Sequence, residues 1–195
     1  MGKPLVLAGL ADPQLLPLLR TGAIGVLPTD TVYGLVAVAG NQAAVERLYA
    51  LKPRERQPGT TIAASANQLA TLGFPHSSLT SAAPYWPGAV SVEMATDSLP
   101  DYLRRSQAHM AARVPHHHEL VELLRHTGPL MTTSANAPGM PTATGIRQAI
   151  AYFGDKVDFY VDAGDLGEKP PSTIIGFDSS GEVIVHRQGA VKIVD

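Results

Sequence analysis

An α/β fold with a mixed sheet is the expectation for this sequence, and three observations lead to it. Short apolar runs of strand length alternate with helix-period stretches along the whole chain. Several neighbouring strand-like runs have no helical stretch between them, so some pairs must be antiparallel and the sheet is not a strict βαβ array. The sixteen prolines and eighteen glycines fall mostly at the joints between runs, the pattern of many short turns and not of a linker. A length of 195 residues fits one domain, 1–195, that can bury a core without staples.

In order, Asp12-Pro13 opens a short helix over 14–20 that stops at Gly22. Residues 23–27 read as a buried strand ended by Pro28, and 35–39 as a second one closed by Gly40-Asn41. Ala44, Val45, Leu48 and Leu51 share one face of a helix over 42–51. A strand over 60–64 and helices over 67–72 and 79–86 follow, then strands over 90–94 and 110–114. Pro115 restarts a helix that runs through His118 to Arg125, terminated by Gly128. The strand over 130–133 runs into Ser134-Ala135-Asn136, the helix over 146–152 ends at Gly154, and strands over 157–161, 173–177 and 183–186 finish the sheet.

Composition narrows the function. Hydrophobic residues make up 45% and charged residues 16%, an ordinary globular balance. With no cysteine there is no disulfide, thiolate metal site or Cys nucleophile, which suits a reducing compartment. The apolar run at the amino terminus is too short for a signal peptide and none reaches membrane-spanning length, so the cytoplasm is the expected location. A net charge of −2 argues against coating nucleic acid by bulk electrostatics. The cations instead fall into two local groups in sequence, Lys52, Arg54 and Arg56, and Arg104, Arg105 and Arg113.

Hydroxyls and cations recur where apolar strands stop. Thr29-Asp30-Thr31 follows a buried strand and offers two hydroxyls and a carboxylate, with the Tyr33 phenol close behind; a turn stabilised by its own hydrogen bonds is the plainer alternative. Lys52-Pro53-Arg54-Glu55-Arg56 either complements a helix carboxy terminus or surrounds phosphates. Thr132-Thr133-Ser134-Ala135-Asn136 is a capping turn or a neutral phosphate and ribose site. Arg113 stands at another strand exit, Ser172 and Thr173 open a strand, and Arg187 ends the last one. A cleft lined this way would bind an anionic nucleotide and a small polar acid together. His116-His117-His118 reads as a solvated helix start, with a metal site the lesser alternative, since three adjacent residues cannot all face one ion from a helix. Trp86-Pro87-Gly88 reads as a packing corner, with a cleft wall the alternative.

With those motifs in order, the chain resembles the YrdC-type threonylcarbamoyl-adenylate synthases in their short form. The resemblance rests on PTDTVYGL from Pro28, K-x-R at Lys52 and Arg54, YWPG from Tyr85, R-V-P from Arg113, TSAN from Thr133, PST from Pro171 and R-x-G from Arg187. It implies a strongly twisted mixed sheet with a concave, positively lined cleft. The implied reaction joins L-threonine, bicarbonate or CO2 and ATP into threonylcarbamoyl-adenylate and pyrophosphate, with Mg2+ accompanying ATP and no metal held by protein side chains. The product would pass to a transferase complex that modifies tRNA. By similarity Thr31, Arg113 and Ser172 hold threonine, while Lys52, Arg54, Ser134, Asn136, Thr142 and Arg187 hold ATP. Lys52 and Arg54 would act by positioning and charge neutralisation, with no catalytic residue assigned.

The chain departs from the family pattern in places. It reads Pro87-Gly88-Ala89-Val90-Ser91 where PGP-x-T is usual, its basic loop is one residue shorter, and His109 stands where a threonine is expected near the nucleotide. Some members also carry a strand histidine near Ile62 that is missing here. Two rival readings remain: a module that binds RNA weakly in ribosome maturation, and a paralogue that activates another small acid.

Overall fold

The computed structural model describes residues 4–52 and 58–193. Strands β1 (Val6–Leu7), β2 (Gly25–Pro28), β3 (Tyr33–Val38), β4 (Thr60–Ile62), β5 (Val90–Ala95), β6 (His109–Arg113), β7 (Leu130–Ser134), β8 (Phe159–Val161), β9 (Thr173–Phe177) and β10 (Val183–Arg187) form one sheet. Helices α1 (Leu15–Arg20), α2 (Gln42–Leu51), α3 (Ala66–Leu72), α4 (His76–Ala82), α5 (Asp101–Arg104), α6 (His118–Thr127) and α7 (Ile146–Phe153) flank it.

Spatial order is β1-β8-β2-β3-β7-β4-β6-β5-β9-β10, and the sheet is large and twisted. It is mixed, as expected. β8 lies parallel to β1 and β2, β4 to β6 and β5 to β9, while β2/β3, β3/β7, β4/β7, β5/β6 and β9/β10 are antiparallel. Because side chains alternate along a strand, the sheet buries two faces. Val26, Leu35, Ala37 and Tyr160 join one apolar cluster with residues of α2, α4 and α7. Leu27, Val36, Phe159 and Val161 join the other, with Leu15 and Leu19 of α1 and Leu120 and Leu124 of α6. Each such leucine is fully buried and contributes about 1.5–3 kcal/mol of transfer free energy.

Local signals set the helix ends. The Asn41 side chain accepts from Ala44 N at 3.1 Å to start α2, and Ser65 accepts from Gln68 N to start α3. Gly73 ends α3 at φ +117°, a left-handed backbone open mainly to glycine. One expected helix differs. The stretch over 79–86 is the end of α4 followed by a 3-10 turn, Ala83–Tyr85, because Pro84 has no N–H to continue the α ladder. β1 and the one-turn α5 were not expected; two and four residues are too short to show a period. Trp86 does form a packing corner, its indole N–H donating to the Val90 carbonyl at 2.9 Å.

The second cation group does not form in space. Arg104 pairs with Asp101, and Arg105 lies 4.8 Å from the centre of the Tyr49 ring. β6 carries Arg113 to the far end of an extended strand, about 13 Å on from His109. No helix among the described residues is long and apolar enough to cross a membrane.

Candidate active site

A cavity of about 370 Å³ opens where the ends of β2, β6, β7 and β10 and the starts of β3, β4 and β9 converge. Thr29, Thr31, Thr132, Thr133, Ser134, Thr142 and Ser172 give it a hydroxyl-rich lining, with the guanidinium groups of Arg113 and Arg187 among them. Gly34 and Gly59 form part of the lining without side chains. A Cβ at Gly34 would sit 2.6 Å from Thr132 Oγ1, so the glycine of the PTDTVYGL segment is there for close approach.

The Thr29-Asp30-Thr31 turn is closed by its own hydrogen bonds and also borders the cavity. Thr29 Oγ1 donates to the Val32 carbonyl at 2.6 Å and accepts from the Thr31 and Val32 N–H groups, which closes the turn. The Thr29 and Thr31 hydroxyl oxygens are 3.1 Å apart. Thr31 lines the cavity, where its hydroxyl can donate to or accept from a ligand. Tyr33 does not present its phenol to a ligand. Its ring is fully buried, and the hydroxyl donates to Gly164 O at 2.8 Å and accepts from Ala163 N at 2.9 Å. Burial raises this phenol above its usual range.

Arg113 lies at the cavity but is already engaged. Its Nη2 meets Asp30 Oδ1 at 2.9 Å, with both side chains 4% exposed. Burial pulls the guanidinium down from its ordinary value, and the Asp30 charge and hydrogen bond oppose that. Asp30 Oδ2 and Arg113 Nε have no hydrogen-bond partner among the described residues. Arg113 Nη1 donates to Ser91 Oγ at 3.3 Å, Ser91 and Ser172 hydroxyls are 2.9 Å apart, and Arg187 Nη2 reaches the Ser172 carbonyl at 2.8 Å. A polar chain thus runs from the β2–β3 turn through β6 and β5 to β9 and β10.

Lys52 stands behind the lining and not in it. Its ammonium is buried and donates to Ser134 O at 3.0 Å, Asn136 O at 2.8 Å and Asn136 Oδ1 at 2.6 Å. Asn136 Oδ1 also accepts from Ser134 Oγ at 2.7 Å, and its amide donates to the carbonyls of Ala137 and Met140. The lysine thereby fixes the turn that follows β7 and places a positive charge beneath it. Arg54, with Arg56 and the rest of 53–57, lies outside the described residues.

Thr31, Arg113, Ser134, Asn136, Thr142, Ser172 and Arg187 thus all line one cavity, and Lys52 backs it. His109 is exposed at the opposite end of β6 from Arg113 and does not line the cavity. Ile62 is fully buried and also lies outside the lining. His117 caps α6, its Nδ1 accepting from Leu120 N. Asp30 as the partner of Arg113, and Ser91 as its second partner, were not foreseen. No local pattern marks them, since both contacts depend on strand order.

The family model for Sua5, YciO and YrdC proteins, described as telomere recombination, matches residues 17–189. A threonylcarbamoyl-AMP synthase of Marinobacter nauticus is 34% identical over 160 residues, covering 79% of this chain and 84% of that one. The crystal structure of P. abyssi Sua5 complexed with L-threonine superposes with a TM-score of 0.81 at 25% identity; it covers 96% of this chain, which spans 58% of the Sua5 chain. E. coli YciO shares the fold at a TM-score of 0.81 and 22% identity, each chain covered to 98%. A family model that takes in nearly the whole described chain, a relative above 30% identity and a common fold agree: this chain belongs to the Sua5/YciO/YrdC family.

Proposed function

We propose that the chain is an L-threonylcarbamoyladenylate synthase, which joins L-threonine, CO2 or bicarbonate and ATP and releases pyrophosphate. The observation that carries this is a single cavity that gathers a buried guanidinium, Thr31 and Ser172 together with the Ser134–Asn136 turn backed by Lys52. Arg113, Thr31 and Ser172 form the threonine end, with the carboxylate on Arg113 and a ligand donor on Thr31. Ser134, Asn136, Thr142 and Arg187, with Lys52 behind them and Arg54, form the ATP end.

The chemistry asks for little beyond placement. The amine of threonine adds to CO2 and loses a proton to give a carbamate. A carbamate oxygen then attacks the α-phosphorus, the bond to the β-phosphate bridging oxygen breaks, and pyrophosphate leaves with that electron pair. Neither step needs a side-chain nucleophile. Aligned reactants and donors aimed at phosphate oxygens lower the barrier. Mg2+ would enter with ATP, held by the phosphates. Among the described residues no cluster of three His, Asp or Glu side chains could hold an ion alone, and the Asp30 carboxylate is turned to Arg113. The product is an activated carbamoyl group for a transferase complex acting on tRNA.

The test is pyrophosphate release from ATP with and without L-threonine and bicarbonate. Release that requires threonine supports this reading; threonine-independent release, or none, overturns it.

A further inference from the structure

We propose that Ser91 is a positioning residue for the anion end of the cavity, orienting both Arg113 and the hydroxyl proton of Ser172. The inference rests on the synthase reading and concerns the same site.

Ser91 is fully buried in β5, between Val90 and Val92, and does not line the cavity. A serine costs free energy in such a place unless its hydroxyl is satisfied. Its oxygen accepts from Arg113 Nη1 at 3.3 Å. For its proton there is one acceptor among the described residues, Ser172 Oγ at 2.9 Å, since a guanidinium cannot accept. Ser91 is therefore the donor in that contact.

The direction has a consequence at the cavity. Ser172 Oγ accepts from Ser91 and, at 3.4 Å, from Arg187 Nη2, which occupies both of its lone pairs. Its own proton has no protein acceptor in the described structure, and Ser172 lines the cavity. Ser172 thus stands as a donor toward the ligand, matched to an anionic oxygen such as a carboxylate or carbamate. Ser91 also holds Nη1 of a guanidinium whose Nε is already without a partner. Removing its hydroxyl frees Ser172 to turn and leaves a second buried Arg113 N–H group unsatisfied.

The experiment measures pyrophosphate release and, separately, L-threonine binding by calorimetry, for the wild type, S91A, S91T, S172A and S91A/S172A. S91A should weaken threonine binding and raise the threonine KM about tenfold, with the ATP KM within about twofold, the size of one lost oriented hydrogen bond. S91T returns the hydroxyl and should restore threonine binding, and the double variant should be no weaker than S172A alone. An unchanged threonine affinity in S91A, an equal rise in both KM values, failure of S91T to restore binding, or additive losses would each overturn the proposal. A wild type that binds threonine but releases no pyrophosphate defeats the synthase reading while the binding ratios still test Ser91. A wild type that does not bind threonine defeats both.

Discussion

The two cations on either side of the cavity are held in different ways. Arg113 bonds a carboxylate, Asp30, and passes on through the hydroxyls of Ser91 and Ser172 toward Arg187. Lys52 bonds two backbone carbonyls and an amide oxygen of the single turn over 134–136. The first arrangement joins five separate stretches of chain and reaches the cavity as a guanidinium fork. The second stiffens one turn from behind and reaches the cavity only through that turn. In both, the charge is buried at least as deeply as the hydroxyls that line the cavity. The cations build the site's framework and field, and neutral groups make much of its surface.

Substitutions on the two sides should therefore fail differently. The largest effect belongs to Arg113→Ala, which removes the carboxylate fork and leaves Asp30 buried without its cation. We expect threonine kcat/KM to fall about a thousandfold, with a loss of about 3–5 kcal/mol in unfolding free energy by denaturant titration. A loss that fell on ATP affinity would break the distinction between the sides.

Lys52→Ala should come next. Three oxygens lose a charged donor, so turnover should drop at least about tenfold while the threonine KM stays near normal. Near-normal turnover would mean that the turn keeps its geometry without the lysine. Gly34→Ala tests the place where the two sides meet, because its Cβ would press on Thr132. A drop of about tenfold in turnover at saturating levels of both substrates is expected, with a melting point lower by several degrees.

An ion pair away from the cavity sharpens the contrast in the other direction. Arg47 meets Asp158 at 2.9 Å on a half-exposed surface. Burial pulls Asp158 upward, but the Arg47 hydrogen bond, the Ile24 N–H and the Arg47 charge outweigh it and hold the carboxyl below its ordinary value of 3.8. The depressed value means the pair's contribution is present above pH 3.8 and is lost as pH falls through the lower folded value. Asp158→Asn should therefore flatten the acid limb of the stability curve below that pH and leave neutral-pH turnover unchanged. A variant with the wild-type acid limb would show the pair to be without effect. His118→Ala should do least, changing stability by under about 0.5 kcal/mol and turnover not at all. A metal-dependent loss of activity in that variant would revive the histidine run as a site.

Much of the fold was legible because apolar period and turn residues are local. α2, α6 and α7 were expected nearly as they stand, from the stripe of Ala44, Val45 and Leu48 and from stops at Gly128 and Gly154. The helix expected over 79–86 gives way to a 3-10 turn at Pro84, and β1 is two residues long, too short to show a pattern. The cavity residues were legible as a recurrence, hydroxyls and cations at strand exits, and the motif order of a known family gave them roles.

By itself the sequence determined which strand ends carry Thr31, Arg113, Ser134, Ser172 and Arg187, because strand limits depend on neighbouring residues. It could not determine who partners whom. Grouping Arg113 with Arg104 and Arg105 failed because an extended strand carries residues apart quickly, and expecting the Tyr33 phenol at the ligand failed because the loop over 163–164 covers it. Tertiary structure alone decided that Asp30 meets Arg113, that Lys52 lies beneath Asn136 and that Ser91 meets both Arg113 and Ser172. Those contacts join residues 22 to 84 positions apart, brought together only by the order in which the sheet pairs its strands.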